Sequence, residues 1–281
     1  MDFQSDEAIL LRRRPLGEPH LLVTLLGRRL GKLQVVAPGA RKLLHRYDTR
    51  FEPGTVVYVN LARRRRQHLF RMECCETLLT PLRQPVRLPQ LLLLSVGLEA
   101  CERLAAEQAG EEPLHAVLLE YLLCLRSARL SLLLWDGLTA RALQAAGFAP
   151  QLQACVRCGG ALGGARRVCV SGELGGALCE GCVTKGAEQG EEAAGAALLR
   201  VPPGTLQLLL HLLSAPFAQL QKLRPSKAQA KEVHAILGAA LRAVLGQELQ
   251  TERVLRQWQE TPRRRVLAEF DVDLGAPFPY S

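Results

Sequence analysis

The chain has 281 residues, enough for two or three domains with a sizeable core. Apolar residues at 48% and charged residues at 22% are ordinary for a folded soluble protein and exclude a low-complexity or disordered chain. A net charge of +9 with a pI near 9.3 favours a polyanionic partner, nucleic acid or an anionic membrane surface, over an acidic protein.

In chain order, the opening "MDFQSDEAILLRRR" has its acids first and its arginines after the apolar run, the reverse of a secretory signal. Residues 1 to about 80 read as five short strands: "EAILLRRR", "HLLVTLLG", "KLQVVAPG", "TVVYVNLA" and "HLFRMECCE". Turn signals "PLGEPH", "GRRLG", "PGARK" and "EPGT" separate them, which predicts a small barrel of the OB type over residues 1–80. From Pro89 to Phe148 the period becomes helical. "PQLLLLSVGLEACERLAAE" and "PLHAVLLEYLLCLRSARL" each open on a proline, and "WDGLTARALQAAGF" is expected to stop at Gly147. The apolar runs here are too short, or are broken by Glu120, Arg126 and Arg129, so no membrane span is expected.

Residues 151–185 turn to Gly and Cys, with little material for a core. "EQGEEAAGAA" reads as a mobile linker, followed by two more helices within residues 186–262. Pro216 breaks the first, and the second starts on Ser226 as N-cap. Residues 263–281 read as a disordered tail. The predicted fold class is α+β and multidomain: an N-terminal OB-fold barrel, a helical domain in two parts (81–150 and 186–262), and an inserted four-Cys zinc module.

That module is the strongest local signal. Cys155 and Cys158 in "CVRC" and Cys179 and Cys182 in "CEGC" form two C-x-x-C pairs twenty residues apart, the spacing of a zinc ribbon or knuckle. Gly159, Gly160 and Gly181 let backbone amides turn toward the sulfurs. A hairpin around "GELGG" is expected to bring the pairs together. Four thiolates fill a tetrahedral ion, so one structural Zn2+ is predicted, its binding supplying the segment's folding energy. Cys169 is read as a spare buried thiol, and Cys74, Cys75, Cys101 and Cys124 as core residues. Nine cysteines in an expected intracellular chain argue for metal and buried thiols, not disulfides.

Charge is concentrated at the other end. Residues 1–80 hold fifteen Arg and Lys against eight acids, +7 of the whole chain's +9. Arg12, Arg13 and Arg14 end the first strand, Lys32 follows the "GRRLG" turn, and Arg41 and Lys42 enter a loop after Pro38-Gly39. Arg63, Arg64, Arg65 and Arg66 occupy a hairpin. Together they are expected to line a groove that tracks phosphates, with Tyr47 and Phe51 the aromatics available for stacking, and Tyr58 and Phe70 read as core or surface cover. So few stacking residues imply backbone tracking and little sequence specificity. No P-loop, G-x-G-x-x-G, H-E-x-x-H or G-x-S-x-G occurs, the six histidines are scattered, and no catalytic role is expected.

The order of parts resembles a known family. "AILLRRRPLGEPHLLVTLLGRRLGKLQVVAPGARK" and the junction "GFAPQLQACVRCG" are similar to the bacterial RecO recombination mediators. The resemblance implies a cytoplasmic, nucleoid-associated DNA repair protein that binds single- and double-stranded DNA. Such a protein anneals strands coated by single-strand-binding protein, whose C-terminal tail it recognises, and with RecR helps RecA load at gaps. Carried onto this chain, the DNA surface is Arg12, Arg13, Arg14, Lys32, Arg41 and Lys42, with Arg63 to Arg66 as a further patch, and the zinc braces the helical domain. The closing "EFDVDLGAPFPYS" loosely resembles the acidic tail of single-strand-binding proteins. The alternative is an RNA-binding OB-fold and zinc-ribbon protein, ribosome-associated or a subunit of an RNA-modifying assembly, because OB folds serve either polymer.

Overall fold

The computed structural model describes residues 2–42, 47, 49–63, 69–82, 85–107, 109–126, 130–162, 168–188 and 198–260. The chain divides into two compact units, Met1–Ala128 and Arg129–Ser281.

The first unit is a closed five-stranded barrel followed by two helices. The strands are β1 (Asp2–Leu16), β2 (His20–Gly27), β3 (Gly31–Ala37), β4 (Val56–Arg63) and β5 (Phe70–Leu79), in the spatial order β1-β2-β3-β5-β4. All neighbours are antiparallel except β3 and β5, which pair in parallel at Val35–Phe70 and Val36–Arg71 and close the OB-type barrel. The fifteen-residue β1 serves both sides: its first half pairs with β4 and its second with β2. A bulge between Leu10 and Arg12 bends it from one partner to the other.

Alternation explains the interior. Ala8 and Leu10 on β1, Leu21, Val23 and Leu25 on β2, and Leu33, Val35 and Ala37 on β3 meet Val57, Val59, Leu61, Phe70 and Met72 inside. Ile9, Leu11, Leu22 and Leu26 face outward and are nevertheless buried. The helices α1 (Leu88–Leu104) and α2 (Glu112–Leu125) pack on β1 and β2, so this part of the sheet is apolar on both faces. Pro89 sits in the first turn of α1 and Pro113 in that of α2, where no backbone N–H is needed. The segment after α1 lies along β3: Lys32 N–H donates to the Ala106 carbonyl at 3.2 Å. Gly31, at φ +69°, has no room for a side chain, because a Cβ there would fall 1.8 Å from the Ala109 oxygen.

The second unit is built on α3 (Leu132–Ala145), α5 (Pro203–Ser214) and α7 (Lys227–Leu245), which pack on one another. Ser131 caps α3, which ends before Gly147 at φ +85°, and Ser226 opens α7 in a reciprocal capping box with Gln229. Pro216 separates α5 from the one-turn α6 (Phe217–Leu220). A small sheet in the order β7-β6-β8 joins β6 (Val168–Ser171), β7 (Gly176–Leu178) and β8 (Leu199–Val201), and α4 (Glu180–Glu188) follows β7. The expected hairpin is β6–β7; the third strand, β8, was not anticipated. The β6–β7 turn lies flat on α7, where a Cβ on Gly172 would stand 2.2 Å from the Ile236 carbonyl. The helix α8 (Gln250–Glu260) ends the described chain, so the linker expected over 188–197 lies outside it from residue 189 and the tail lies wholly outside it.

A polar pair, buried on the Asp136 side and partly buried on the His234 side, ties α7 to α3. His234 Nδ1 and Asp136 Oδ1 are 2.7 Å apart. Burial by itself would lower the pKa of His234, but the charge and hydrogen bond of Asp136, with Glu252 behind them, outweigh it and raise the value above its ordinary 6.5. A histidine with a raised folded-state pKa adds stability that is present in full below the unfolded value and lost as pH rises through the folded one. The stability margin of the wild type over His234→Gln, read by denaturant unfolding, should therefore be largest near pH ~6 and shrink toward pH ~9. A margin independent of pH would contradict a charged pair.

Candidate nucleic-acid surface and candidate metal centre

The basic residues divide into two groups at opposite ends of β2 and β3. Eight residues of β2 at about 3.3 Å each put the two ends roughly 20 Å apart.

At the first end the β1–β2 turn meets the loop that follows β3. Ala37–Ala40 is a type II turn, with Pro38 at its second position, Gly39 at φ +72° at its third, and the Ala40 N–H on the Ala37 carbonyl. It delivers Arg41 and Lys42, both exposed, beside the β1–β2 turn. Arg41 N–H donates to the Pro19 carbonyl at 3.2 Å, and its guanidinium Nη1 to the Gly17 carbonyl at 3.1 Å. Arg13 Nη1 donates to the Arg50 carbonyl at 2.8 Å, farther along the same loop. Both guanidiniums are aimed by neutral carbonyls, not carboxylates, and among the described residues most of their N–H groups remain available to an anion. Arg12 and Arg14 lie on the other face of β1, opposite Thr24 and Leu22. Together with Lys42 they are exposed and make no ion pair among the described residues.

At the second end the cations are spent on the protein itself. Asp6, 2% exposed, accepts the backbone N–H groups of Arg29 and Leu30 at 2.9 Å each and lies 3.6 Å from the Arg29 guanidinium. Arg28 Nε donates to Glu112 on α2 at 2.8 Å. Lys32 Nζ donates to the Glu102 carbonyl in the last turn of α1 at 3.0 Å, where a helix's exposed carbonyls attract a cation. Lys32 is thus not brought together with Arg12, Arg13, Arg14, Arg41 and Lys42. Arg63, on β4, stacks its guanidinium 4.6 Å from the centre of the Phe70 ring. Arg64, Arg65 and Arg66 lie outside the described residues.

The aromatic assignments change. Tyr47 and Phe51, expected to be available for stacking, are buried in the barrel interior, and Phe70 is buried there as well. Tyr58 is 42% exposed on the outer face of β4. Phe3, which the sequence reading passed over, is 69% exposed.

The four cysteines of the second unit converge. The Sγ atoms of Cys155, Cys158, Cys179 and Cys182 all lie within 4.8 Å of one another, and those of Cys158 and Cys179 are 3.7 Å apart. A tetrahedral ion with metal–sulfur bonds of about 2.3 Å needs sulfurs about 3.8 Å apart, so this donor set fits one such ion. The first pair sits on a knuckle: Gly159 N–H returns to the Cys155 carbonyl and Cys155 N–H to the Gly160 carbonyl, both at 2.9 Å, with Gly159 at φ +70°. A Cβ on Gly160 would press on the Cys158 sulfur at 3.4 Å. The second pair straddles the start of α4, where Cys182 and Val183 N–H groups fall on the Cys179 carbonyl. Burial opposes ionisation of Cys155, but the backbone N–H groups of Cys179, Cys158 and Arg157 more than offset it and bring the thiol down to about 6. Hydrogen bonding with the Cys179 and Cys158 sulfurs pushes Cys182 up to about 12. Sulfurs this close ionise together only around a cation, which is the demand a structural metal meets. Cys169 is buried on β6 in the small cluster beneath the four and does not join them.

Sequence reasoning missed His20, which accepts the Gly39 N–H on Nδ1 at 3.0 Å, and the pair Asp136–His234. The partners are 19 and 98 residues apart, and no local motif announces either.

No helix among the described residues is long and apolar enough to cross a membrane. The family model described as Recombination protein O N terminal matches residues 1–80, and that described as Recombination protein O C terminal matches residues 87–253. The chain is 33% identical over 219 residues to the DNA repair protein RecO of Frankia casuarinae, covering 76% of this chain and 82% of that protein. It is 29% identical over 262 residues to that of Pelotomaculum thermopropionicum, covering 93% and 97%. To that of a Nocardioides species it is 34% identical over 190 residues, covering 64% and 75%.

Proposed function

The chain belongs to the RecO family of DNA repair proteins, and we propose that it acts there as a DNA-binding mediator without catalytic chemistry of its own. In this reading it holds single- and double-stranded DNA by the phosphate backbone, and anneals complementary strands coated by single-strand-binding protein, whose C-terminal tail it recognises. With RecR it assists RecA loading at gaps, in the cytoplasm and at the nucleoid.

One observation carries the reading. Arg13 and Arg41 are aimed by carbonyls at one end of the barrel, with Lys42 next to Arg41 in the chain and Arg12 and Arg14 on the other face of β1 at that same end, these three exposed and without an ion pair among the described residues. Cations held by neutral partners, not by carboxylates, retain the charge that a polyanion recognises. Arg63, Arg64, Arg65 and Arg66 are a further patch in the same reading. Lys32 contributes through the fold, by holding α1, and at most weakly to phosphate. Burial of Tyr47, Phe51 and Phe70 leaves few rings for bases, which favours backbone tracking over base reading.

The four-Cys cluster takes one structural Zn2+ in this reading. The thiolates of Cys155, Cys158, Cys179 and Cys182 would hold it, and it would supply cross-linking of the knuckle to α4. All four protein donors are committed, so no position is left for a substrate.

Two outcomes follow. Neutralising Arg41 and Lys42 together should weaken binding to single strands of any sequence alike. The slope of log affinity against log salt should fall by as much as about two phosphate contacts' worth, roughly 0.7 per contact. Unchanged affinity and slope, measured by fluorescence anisotropy across a salt series, would show the loop to be a solvated turn. Stripping the metal with a chelator should lower the melting temperature of the second unit's transition, with re-addition of Zn2+ restoring it, and Cys158→Ser should melt at the chelated value. Identical melts with and without chelator would remove the metal.

A further inference from the structure

The turn that presents Arg41 and Lys42 is not held by its own hydrogen bond alone. In a type II turn the N–H of the third residue does not take part in the bond that closes the turn and needs another partner. Here that residue is Gly39, and the partner is the imidazole of His20, whose Nδ1 accepts at 3.0 Å. His20 is the first residue of β2 and pairs with Leu16 across the β1–β2 turn, so the ladder fixes its position. Gly39 in turn carries the next link, because Lys42 N–H donates to the Gly39 carbonyl at 3.1 Å. The chain of contacts runs from the β2 ladder through the imidazole to the Gly39 peptide and on to the backbone of Lys42.

Two further bonds join the same pieces, from Arg41 N–H to the Pro19 carbonyl and from Arg41 Nη1 to the Gly17 carbonyl. The second uses the very guanidinium that would turn to a phosphate, and so it loosens when the anion arrives. The His20 bond makes no use of either cation and survives binding. An accepting Nδ1 also fixes the ring's state: the proton of the neutral imidazole sits on Nε2.

We infer that His20 is a positioning residue for phosphate contact. It orients the Gly39 peptide, and so the backbone that carries Arg41 and Lys42, before the anion arrives, and it touches no phosphate itself. The inference rests on the proposed DNA-binding role of that loop and adds to it the residue that organises the loop in advance.

Three variants of the full chain, with a labelled single strand as probe, test it beside the Arg41→Ala/Lys42→Ala double variant. His20→Ala removes the acceptor and should weaken binding about fivefold, the equilibrium equivalent of one ordinary hydrogen bond. His20→Asn places an amide oxygen where Nδ1 lies and should restore most of the affinity. His20→Gln carries its oxygen one bond farther out, nearer the place of Nε2, and should not. A purely steric role for the ring would not distinguish Asn from Gln. His20→Ala binding like the wild type, with the double variant weakened, would overturn the inference and leave the DNA-binding reading standing. A double variant that binds normally would sink that reading and the inference with it. If His20→Ala does not fold, the Asn and Gln variants decide, and equal binding by the two overturns the inference.

Discussion

The loop between β3 and β4 is held by two side chains that it buries inside the barrel. Tyr47 and Phe51 stand edge to face with ring centres 5.4 Å apart, 5% and 1% exposed, among Val35, Phe70 and Met72. Burying side chains of this size stabilises the fold by roughly 2–3 kcal/mol each. Phe51 adopts φ +55°, a conformation that costs a non-glycine residue about 1–2 kcal/mol, and the burial outweighs it. The Tyr47 hydroxyl lies 3.2 Å from the Pro38 carbonyl and 3.3 Å from that of Met72. The same ring therefore anchors the loop in the core and braces the turn before Arg41. Without that anchoring, a connection of this length would carry its cations on a flexible chain, and each phosphate contact would first have to offset the entropy of ordering it.

A second constraint works the same way in the other unit. Residues 151–185 have few apolar side chains, and the cluster they form is small: Cys155, Cys169 and Leu178, with a few partly buried neighbours. Four sulfurs lie close enough for one ion, which in the proposed reading would substitute for the missing core, and the flat contact of Gly172 on α7 seats the β6–β7 turn on the helices. In both units a short irregular segment is made rigid by something other than its own secondary structure. In the barrel it is a pair of buried rings. In the cysteine module, on the proposed reading, it would be a metal held by the four thiolates.

What the sequence disclosed follows the reach of the interactions concerned. The strands were legible because Gly and Pro punctuate them at "PLGEPH", "GRRLG", "PGARK" and "EPGT", and turn chemistry is local. The cysteine quartet was legible because the two cysteines of each pair are only three positions apart and the chemistry requires both pairs. The fate of individual cations was not legible. Arg28 and Lys32 look like Arg41 and Lys42 in the sequence, and only the arrival of Glu112 and the Glu102 carbonyl, 84 and 70 residues away, separates them. Tyr47 and Phe51 looked like stacking residues because they lie in a basic loop, and nothing local says that the loop folds back into the barrel. His20 was invisible for the same reason: its role depends on which backbone amide the β3 turn turns toward it.

In the proposed function the basic end of the barrel does the work of the protein. Annealing of two complementary labelled strands, each coated beforehand with single-strand-binding protein and with no nucleotide present, tests it most directly. The intact protein should accelerate annealing, high salt should abolish the acceleration, and Arg13→Ala/Arg41→Ala should remove most of it without unfolding the barrel. Full acceleration by that variant, or none by the intact protein together with tighter binding to structured RNA than to single-stranded DNA, would contradict it.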